Sequence, residues 1–272
     1  MAASDRSSSS PGSVLPLVGR RLGDLMAILV MTVLTALLVK TFILDASYIP
    51  SRSMMDALQP GDYVLVNKFQ YGARTPPALS GDYGPLPDIR LPALRDPRRG
   101  DILLFLFPES TGPGSVRPAT QFVKRCVAGP GDTLTVGRGD VRVNGRVVAR
   151  LEGDTTTAVD VVIPRPGETI TVDGRTPVIL REMAGRDRGL AGGEEQAANA
   201  ATSHTVVNDF YFLLGDRTAL SVDSRHWGLI PRAWVIGTPI VVYWSVDPGA
   251  ASGGLPARLR GVRWSRLGHL VR

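Results

Sequence analysis

Two serines, Ser51 and Ser53, sit in the compact stretch "YIPSRSMM" that spans residues 48–55. A serine hydroxyl attacks a carbonyl only when a neighbouring base takes its proton. Histidine is the usual base, but this chain has three: His204 reads as a loop residue, His226 stands beside Trp227, and His269 lies in a basic tail. No H-E-x-x-H, CxxC, P-loop or G-x-S-x-G pattern occurs, so zinc hydrolysis, dithiol chemistry, phosphate cradling and a hydrolase elbow find no support. A lysine kept neutral by apolar surroundings is the other partner a serine can use. Only three of the 31 basic residues are lysines, Lys40, Lys68 and Lys124, and arginine does not give up its proton in a protein. Lys124 fits best, because "TQFVKRCVAG" is a strand-like apolar run with no acid close by. Lys40 lies at the end of an apolar segment, and Lys68 is flanked by polar Asn67 and Gln70. The residues alone leave open which serine reacts, and whether Lys124 is a base or an ordinary strand residue.

The elements that must position these groups begin with "LGDLMAILVMTVLTALLVKTFIL", Leu22 to Leu44. Its apolar heart, Leu25 to Val39, with Lys40 able to snorkel, predicts one transmembrane helix. A cleaved leader is the weaker reading, since the core is long and no A-x-A site follows. Arg6, Arg20 and Arg21 precede the helix while Lys40, Arg52 and Lys68 follow it, so charge bias sets no orientation. Beyond it, Gly-acid pairs announce strands: "PGDYVLV", "RGDILLF", "PGDTLTV", "GDVRV" and "PGETITV". Glycine accepts the positive φ of a tight turn, and the β-branched alternation that follows suits a strand. A mainly β body is therefore expected, with Pro/Gly-rich interruptions at Ala73 to Arg99 and Pro108 to Thr120, and a flexible loop from Gly185 to Ser203.

Net charge is +6, but the arginines are scattered among acids and form no stripe with aromatics, so no nucleic-acid partner is expected. The single cysteine, Cys126, excludes an intramolecular disulfide framework and reads as a buried small hydrophobe.

Three blocks occur in order after one N-terminal helix: "YIPSRSMMDALQPGDYVLVNKFQYG", "GDILLF…FVKRCVAGPGD" and "GD…SVDSRHWGLIP". Together they resemble the successive blocks of bacterial type I signal (leader) peptidases, a serine-lysine dyad family, over most of Leu22 to Val246. The resemblance implies Ser53 as nucleophile, Lys124 as general base, and the Ser51 hydroxyl beside the Ser53 N–H as oxyanion hole. It further implies that Ser221 holds the lysine amine, with Asp223 and Arg225 as a supporting ion pair. Ile49, Pro50, Met54, Leu58, Phe122 and Val123 match residues that line shallow apolar pockets for small side chains. No cofactor and no metal are implied. The partners implied are pre-protein signal peptides and membrane lipid, with a single-pass placement in the cell membrane and the catalytic part on the extracytoplasmic side.

The implied fold is an antiparallel β-barrel-like catalytic core with a smaller inserted β domain, preceded by the transmembrane helix. Expected limits are a disordered cytoplasmic tail at 1–21, the helix at 22–44, core at 45–131, insertion at 132–203, core again at 204–247, and a basic C-terminal tail at 248–272. That tail is expected either to touch anionic lipid or to be disordered. The implied activity is signal-peptide removal by Ser-Lys acyl transfer after small residues at A-x-A type sites. The alternative is a catalytically weak or inactive membrane-anchored β module that acts as a binding protein. A self-cleaving repressor-type Ser-Lys protease fits less well, because an anchor stands where its basic DNA-binding domain would be. Two departures from the family pattern are visible. Asp56-Ala57 replaces the Pro-Thr of M-x-P-T-L, and Arg217-Thr218-Ala219-Leu220 replaces the N-R-D-N of G-D-N-R-D-N-S-x-D-S-R.

Overall fold

The computed structural model describes residues 15–75, 89–107, 120–137, 139–151, 158–188, 201–251 and 260–272. The expected loops therefore fall partly outside the described residues, at 76–88, 108–119 and 189–200.

The apolar run forms one helix, α1 (Leu15–Phe42). Its segment Gly23–Phe42 has 20 residues with a mean hydropathy of 2.2 and is exposed along its apolar length, meeting the body among the described residues only at its end, beside β1. At 1.5 Å per residue that is about the thickness of a bilayer core. Lys40 stands in the last turn, where its stem can reach the interface and its charge meets the carbonyl end of the helix. The helix opens earlier than the expected 22–44, so Leu15 to Arg21 are helical and not disordered, while 1–14 lie outside the described residues. Pro16 permits this early start, because a first-turn residue has no helical partner for an N–H. The helix stops at Phe42 because Leu44 is already paired with Asn67 in a sheet.

The main sheet has seven strands: β1 (Leu44–Tyr48), β2 (Asp62–Asn67), β3 (Ile102–Phe107), β4 (Thr120–Ala128), β11 (Phe210–Leu214), β12 (Ile230–Pro231) and β13 (Val235–Ser245). Its order is β1-β2-β13-β3-β4-β11-β12, with antiparallel neighbours throughout. The described sheet is open, with β1 and β12 at its edges, so the barrel-like expectation holds only loosely. Both faces of its centre are covered. On β3, Ile102 and Leu104 join a cluster with Ile49, Met54, Leu58 and Val242, whereas Leu103 and Phe105 join Tyr71, Cys126 and Tyr211. Period-two alternation sends successive side chains to opposite faces, which is why "ILLFLF" is apolar without interruption.

A second unit lies between β4 and β11. Strands β5 (Thr133–Val136), β6 (Asp140–Val143), β7 (Arg146–Arg150) and β8 (Val159–Val162) form a sheet ordered β7-β6-β5-β8. Strands β9 (Thr169–Val172) and β10 (Thr202–Thr205) make a separate antiparallel pair. It is bound to the main sheet through one core, in which Phe210, Phe212 and Leu214 of β11 meet Leu134, Val161 and Met183.

Three expectations are corrected here. The flexible loop begins too early, since Gly185 to Asp187 close a helix, α2 (Val178–Asp187), whose Ile179 and Met183 enter that core at helical spacing. Thr202 and Ser203 are in β10. His204, read as a loop residue, is a buried strand residue whose Nε2 lies 2.8 Å from Asp187 Oδ2. The C-terminal tail is not free in its described part. After α4 (Pro248–Ala251), residues 260–272 return to the body, and Val262 and Leu270 bridge to Val246 and Val241. Arg266 Nη2 and Arg263 Nη2 donate to buried Asp62 at 2.6 and 3.4 Å. Tail charge alone could not announce an acid so distant in the chain.

Candidate active site

Ser53 sits in a turn held from both ends. Ile49 N–H donates to Asp62 O at 2.9 Å, and Leu58 and Ala57 N–H donate back to Met54 O at 2.6 and 3.0 Å. Ile49, Met54 and Leu58 anchor the turn in the core, so the intervening serines are presented on a rigid base. Ser53 is buried, at 3% exposure. The Ser51 Oγ, on an exposed residue, lies 3.1 Å from Ser53 Oγ. The Ser53 backbone N–H has no hydrogen-bond acceptor among the described residues.

Lys124 comes from the middle of β4, where the register sets it opposite Leu103. Cross-strand partners share a face, so its stem leaves the sheet on the side of Leu103, Phe105 and Cys126. The residue is 3% exposed. Its Nζ donates to Ser53 Oγ at 2.8 Å, across 71 residues of sequence, and to Ser221 Oγ at 3.0 Å. The Trp227 ring centroid is 5.9 Å away. Burial lowers the Lys124 pKa to about 8; the Asp223 and Asp216 charges oppose that shift, while Arg225 adds to it. A carboxylate in direct contact would have kept the amine charged.

Lys68 has a different partner. It too is buried, at 6% exposure, despite its polar sequence neighbours, but its Nζ lies 3.5 Å from Asp45 Oδ2. The two lysines therefore differ in partner, not in burial.

Ser221 is carried by the loop after β11, and that loop is tied down by a buried ion pair. Arg225 Nε and Nη2 donate to Asp223 at 2.8 and 3.1 Å, and Nη2 also donates to Thr218 O and Ser221 O at 2.6 and 3.1 Å. The Asp223 carboxylate is 0% exposed and also accepts the Gly215 N–H at 3.1 Å. Asp223 additionally caps the short helix α3 (Ser224–Trp227), its side chain accepting the Arg225 N–H. At the start of this loop, Arg125 grips Asp216 through two bonds of 2.7 and 3.0 Å.

Ser53, Lys124, Ser51, Ser221, Asp223 and Arg225 thus converge. The six apolar candidates do not form one surface pocket. Leu58 and Met54 are 0% and 1% exposed and belong to the core, with Ile49 and the partly buried Val123 beside them. Phe122 leaves β4 on the other face, 4.7 Å from Trp227 between ring centroids, and Pro50 is exposed. The alternation of β4 separates Phe122 from Val123, which adjacency in sequence conceals.

Gly215 and Trp227 are the positions that residue-by-residue reading missed. A Cβ on Gly215 would press into the Ser221 side chain and come within 2.8 Å of the Ser53 carbonyl oxygen. The only signal was the Gly-Asp pair that opens the third block. A cavity of about 630 Å³ lies elsewhere, between α2, β8 and the back of α3. A smaller one of about 320 Å³ flanks Asp56, Arg125, Gly215 and Asp216, next to the serine turn. Among the described residues, no group of three or more His, Cys, Asp or Glu side chains is placed to hold a metal ion.

Chemically, the arrangement offers a hydroxyl against an amine of lowered basicity, with an unpaired N–H and a second hydroxyl close to the attacking oxygen. That constellation suits acyl transfer.

Comparison with known proteins points the same way. A family model described as "Signal peptidase, peptidase S26" matches residues 22–244. Signal peptidase I of Pseudomonas aeruginosa is 29% identical over 234 residues, covering 81% of this chain and 71% of that protein. Signal peptidase I of Aquifex aeolicus is 27% identical, covering 80% and 82%, and that of Helicobacter pylori strain J99 is 26% identical, covering 87% and 88%. A crystal structure of a signal peptidase I from Enterococcus faecalis covers 54% of this chain and 98% of its own, with 20% identity and a TM-score of 0.27. At that score the superposition carries no argument.

Proposed function

The chain belongs to the signal peptidase family, peptidase S26, and from that premise we propose that it removes signal peptides from exported pre-proteins, with Ser53 as nucleophile and Lys124 as general base. It is a membrane-associated serine endopeptidase. The observation that carries the dyad is the 2.8 Å contact between Ser53 Oγ and a buried lysine amine whose pKa is lowered to about 8.

In the neutral form the Lys124 lone pair takes the Ser53 proton as Ser53 Oγ attacks the carbonyl carbon of a small residue. The tetrahedral oxyanion accepts from the Ser53 N–H and the Ser51 hydroxyl. One such donor typically matters by ~10²–10³ in kcat. Collapse breaks the peptide bond, and the protonated amine gives its proton to the leaving nitrogen. The same lysine, neutral again, then draws a proton from water, which hydrolyses the acyl-enzyme. Ser221 orients the amine through its 3.0 Å contact, and the Asp223–Arg225 pair holds Ser221.

Substrate choice at A-x-A sites draws on Ile49, Pro50 and Val123, with Met54 and Leu58 packed beneath them, and Phe122 acts separately, from the Lys124 face of β4. An overfilled shallow pocket rejects larger side chains. Because β1 follows α1 almost at once, the catalytic body is kept near the membrane surface, where a signal peptide's cleavage site emerges. We place that body on the extracytoplasmic side.

The test uses purified full-length protein in detergent and a pre-protein carrying an A-x-A site. Ser53→Ala and Lys124→Ala abolish cleavage, while Lys68→Ala retains it. Persistent cleavage by Lys124→Ala overturns the dyad.

A further inference from the structure

Two loops must stay in register for one amine to reach two hydroxyls. The turn that carries Ser53 is anchored by Ile49, Met54 and Leu58 in one core cluster. The loop that carries Ser221 is anchored separately by the buried Asp223–Arg225 pair. Between them, the described residues show few links outside the lysine itself. Arg217 N–H donates to Ser53 O at 3.0 Å, and the Arg217 side chain reaches across 161 residues of sequence to donate from Nε to Asp56 Oδ1 at 2.9 Å. Asp56 belongs to the nucleophile's turn and Arg217 to the Ser221 loop, so the pair closes a ring that runs Ser53, Lys124, Ser221, Arg217, Asp56.

We propose that Asp56 and Arg217 form an ionic latch that sets the distance between the nucleophile turn and the Ser221 loop, as positioning residues for the dyad. The proposal rests on the Ser53–Lys124 reading above. Both partners are departures from the family pattern: Asp56 stands where proline is usual, and Arg217 where asparagine is usual. A proline would stiffen the turn covalently. Here the Asp56 N–H enters no backbone hydrogen bond of the turn, and an ion pair joins the turn to its neighbour instead. The side chains are 58% and 57% exposed, so the latch is open to screening by salt. The competing view is an idle surface pair, which is common at such exposure.

The two views part in a cleavage assay on the full chain in detergent with the A-x-A pre-protein. Asp56→Asn and Arg217→Gln each lower kcat about 2- to 5-fold with little change in KM, in the range expected of an exposed pair. The double neutral variant is no worse than either single one. The reversed pair, Asp56→Arg with Arg217→Asp, regains most of the rate. Raising salt from about 0.05 M to about 1 M slows the native enzyme by a similar factor and leaves the double neutral variant unchanged. Asp56→Pro with Arg217→Gln restores a salt-insensitive rate. An unchanged melting temperature across the set separates positioning from unfolding. Single variants as fast as the native enzyme, additive losses, or a reversed pair no faster than the double neutral variant overturn the latch alone. Cleavage that survives Ser53→Ala, run in parallel, overturns the dyad and the latch together.

Discussion

Lys124 donates to Ser221 at 3.0 Å as well as to Ser53 at 2.8 Å, so among the described residues this buried amine is held by two hydroxyls and by no carboxylate. Hydroxyls orient an amine without forcing it to stay charged, which a carboxylate in contact would do. Lys68 is the buried lysine that has a carboxylate nearby, with Asp45 Oδ2 at 3.5 Å from its Nζ.

Activity should therefore rise with pH. Burial lowers the Lys124 pKa to about 8, so the neutral base dominates above that value and is lost to protonation below it. We expect kcat/KM to fall about tenfold per pH unit on the acid side. Initial rates on a short A-x-A peptide from mildly acid to alkaline pH check this. A profile flat from neutral to mildly acid pH would falsify the assignment of Lys124 as base.

The same burial costs stability. A lysine whose folded pKa lies below its unfolded value is a burden that is fully present below about 8 and vanishes as pH rises past the unfolded value. Lys124→Met should be inactive yet more stable by ~1–2 kcal/mol at neutral pH, after allowance for two lost hydrogen bonds. Melting curves at neutral and strongly alkaline pH should show that advantage shrinking at the higher pH.

Gly215→Ala should inactivate without unfolding. The added Cβ has no room beside the Ser221 side chain and the Ser53 carbonyl, and overpacking of this kind costs about 1–3 kcal/mol. We expect a loss of 100-fold or more in kcat, about 3 kcal/mol in the transition state, with native circular dichroism. Near-native turnover in the alanine variant would contradict the packing described.

Arg225→Met should be the more damaging change to stability. It strands the Asp223 carboxylate, 0% exposed, without its guanidinium, and breaking a buried pair from one side costs about 3–5 kcal/mol. Adding Asp223→Asn should recover part of that loss in chemical denaturation, because the isolated charge is gone.

The C-terminal residues should matter for the same reason. Arg266 donates to the buried Asp62 and also to Ala57 O at 3.3 Å, while Arg263 donates to Pro60 O at 2.6 Å. Burial pushes the Asp62 carboxyl up, but bonds from Arg266, the Gln59 N–H and Ser245 outweigh it and hold the carboxyl below its usual range. That contribution is present above the unfolded pKa and is lost as pH falls through the folded one. Arg266→Met should lower the melting temperature at neutral pH, with the deficit narrowing in acid.

Much of this was legible in the sequence, for identifiable reasons. The membrane helix is written as a contiguous apolar run, and the strands as alternation after Gly-acid turns, because both signals are local. The scarcity of lysine narrowed the base to three residues, and the ordered blocks singled out Ser53 and Lys124. Helix α2 was missed because its buried apolar residues, Ile179, Met183 and Ala184, sit among charges in a Gly-rich context.

Partners, in contrast, are not local. Nothing in "NKFQ" says that Lys68 is buried, and nothing in "RGVRWSRL" says that its arginines meet an acid some 200 residues upstream. The residue types needed for a serine-lysine dyad, the apolar anchor and the β alphabet were set by the sequence itself. Tertiary structure decided which lysine keeps a carboxylate and which is left with hydroxyls. It also decided that Asp56, in the turn that carries Ser53, finds Arg217. Charge and burial are properties of a neighbourhood, and strands far apart in the chain create that neighbourhood only when they pair.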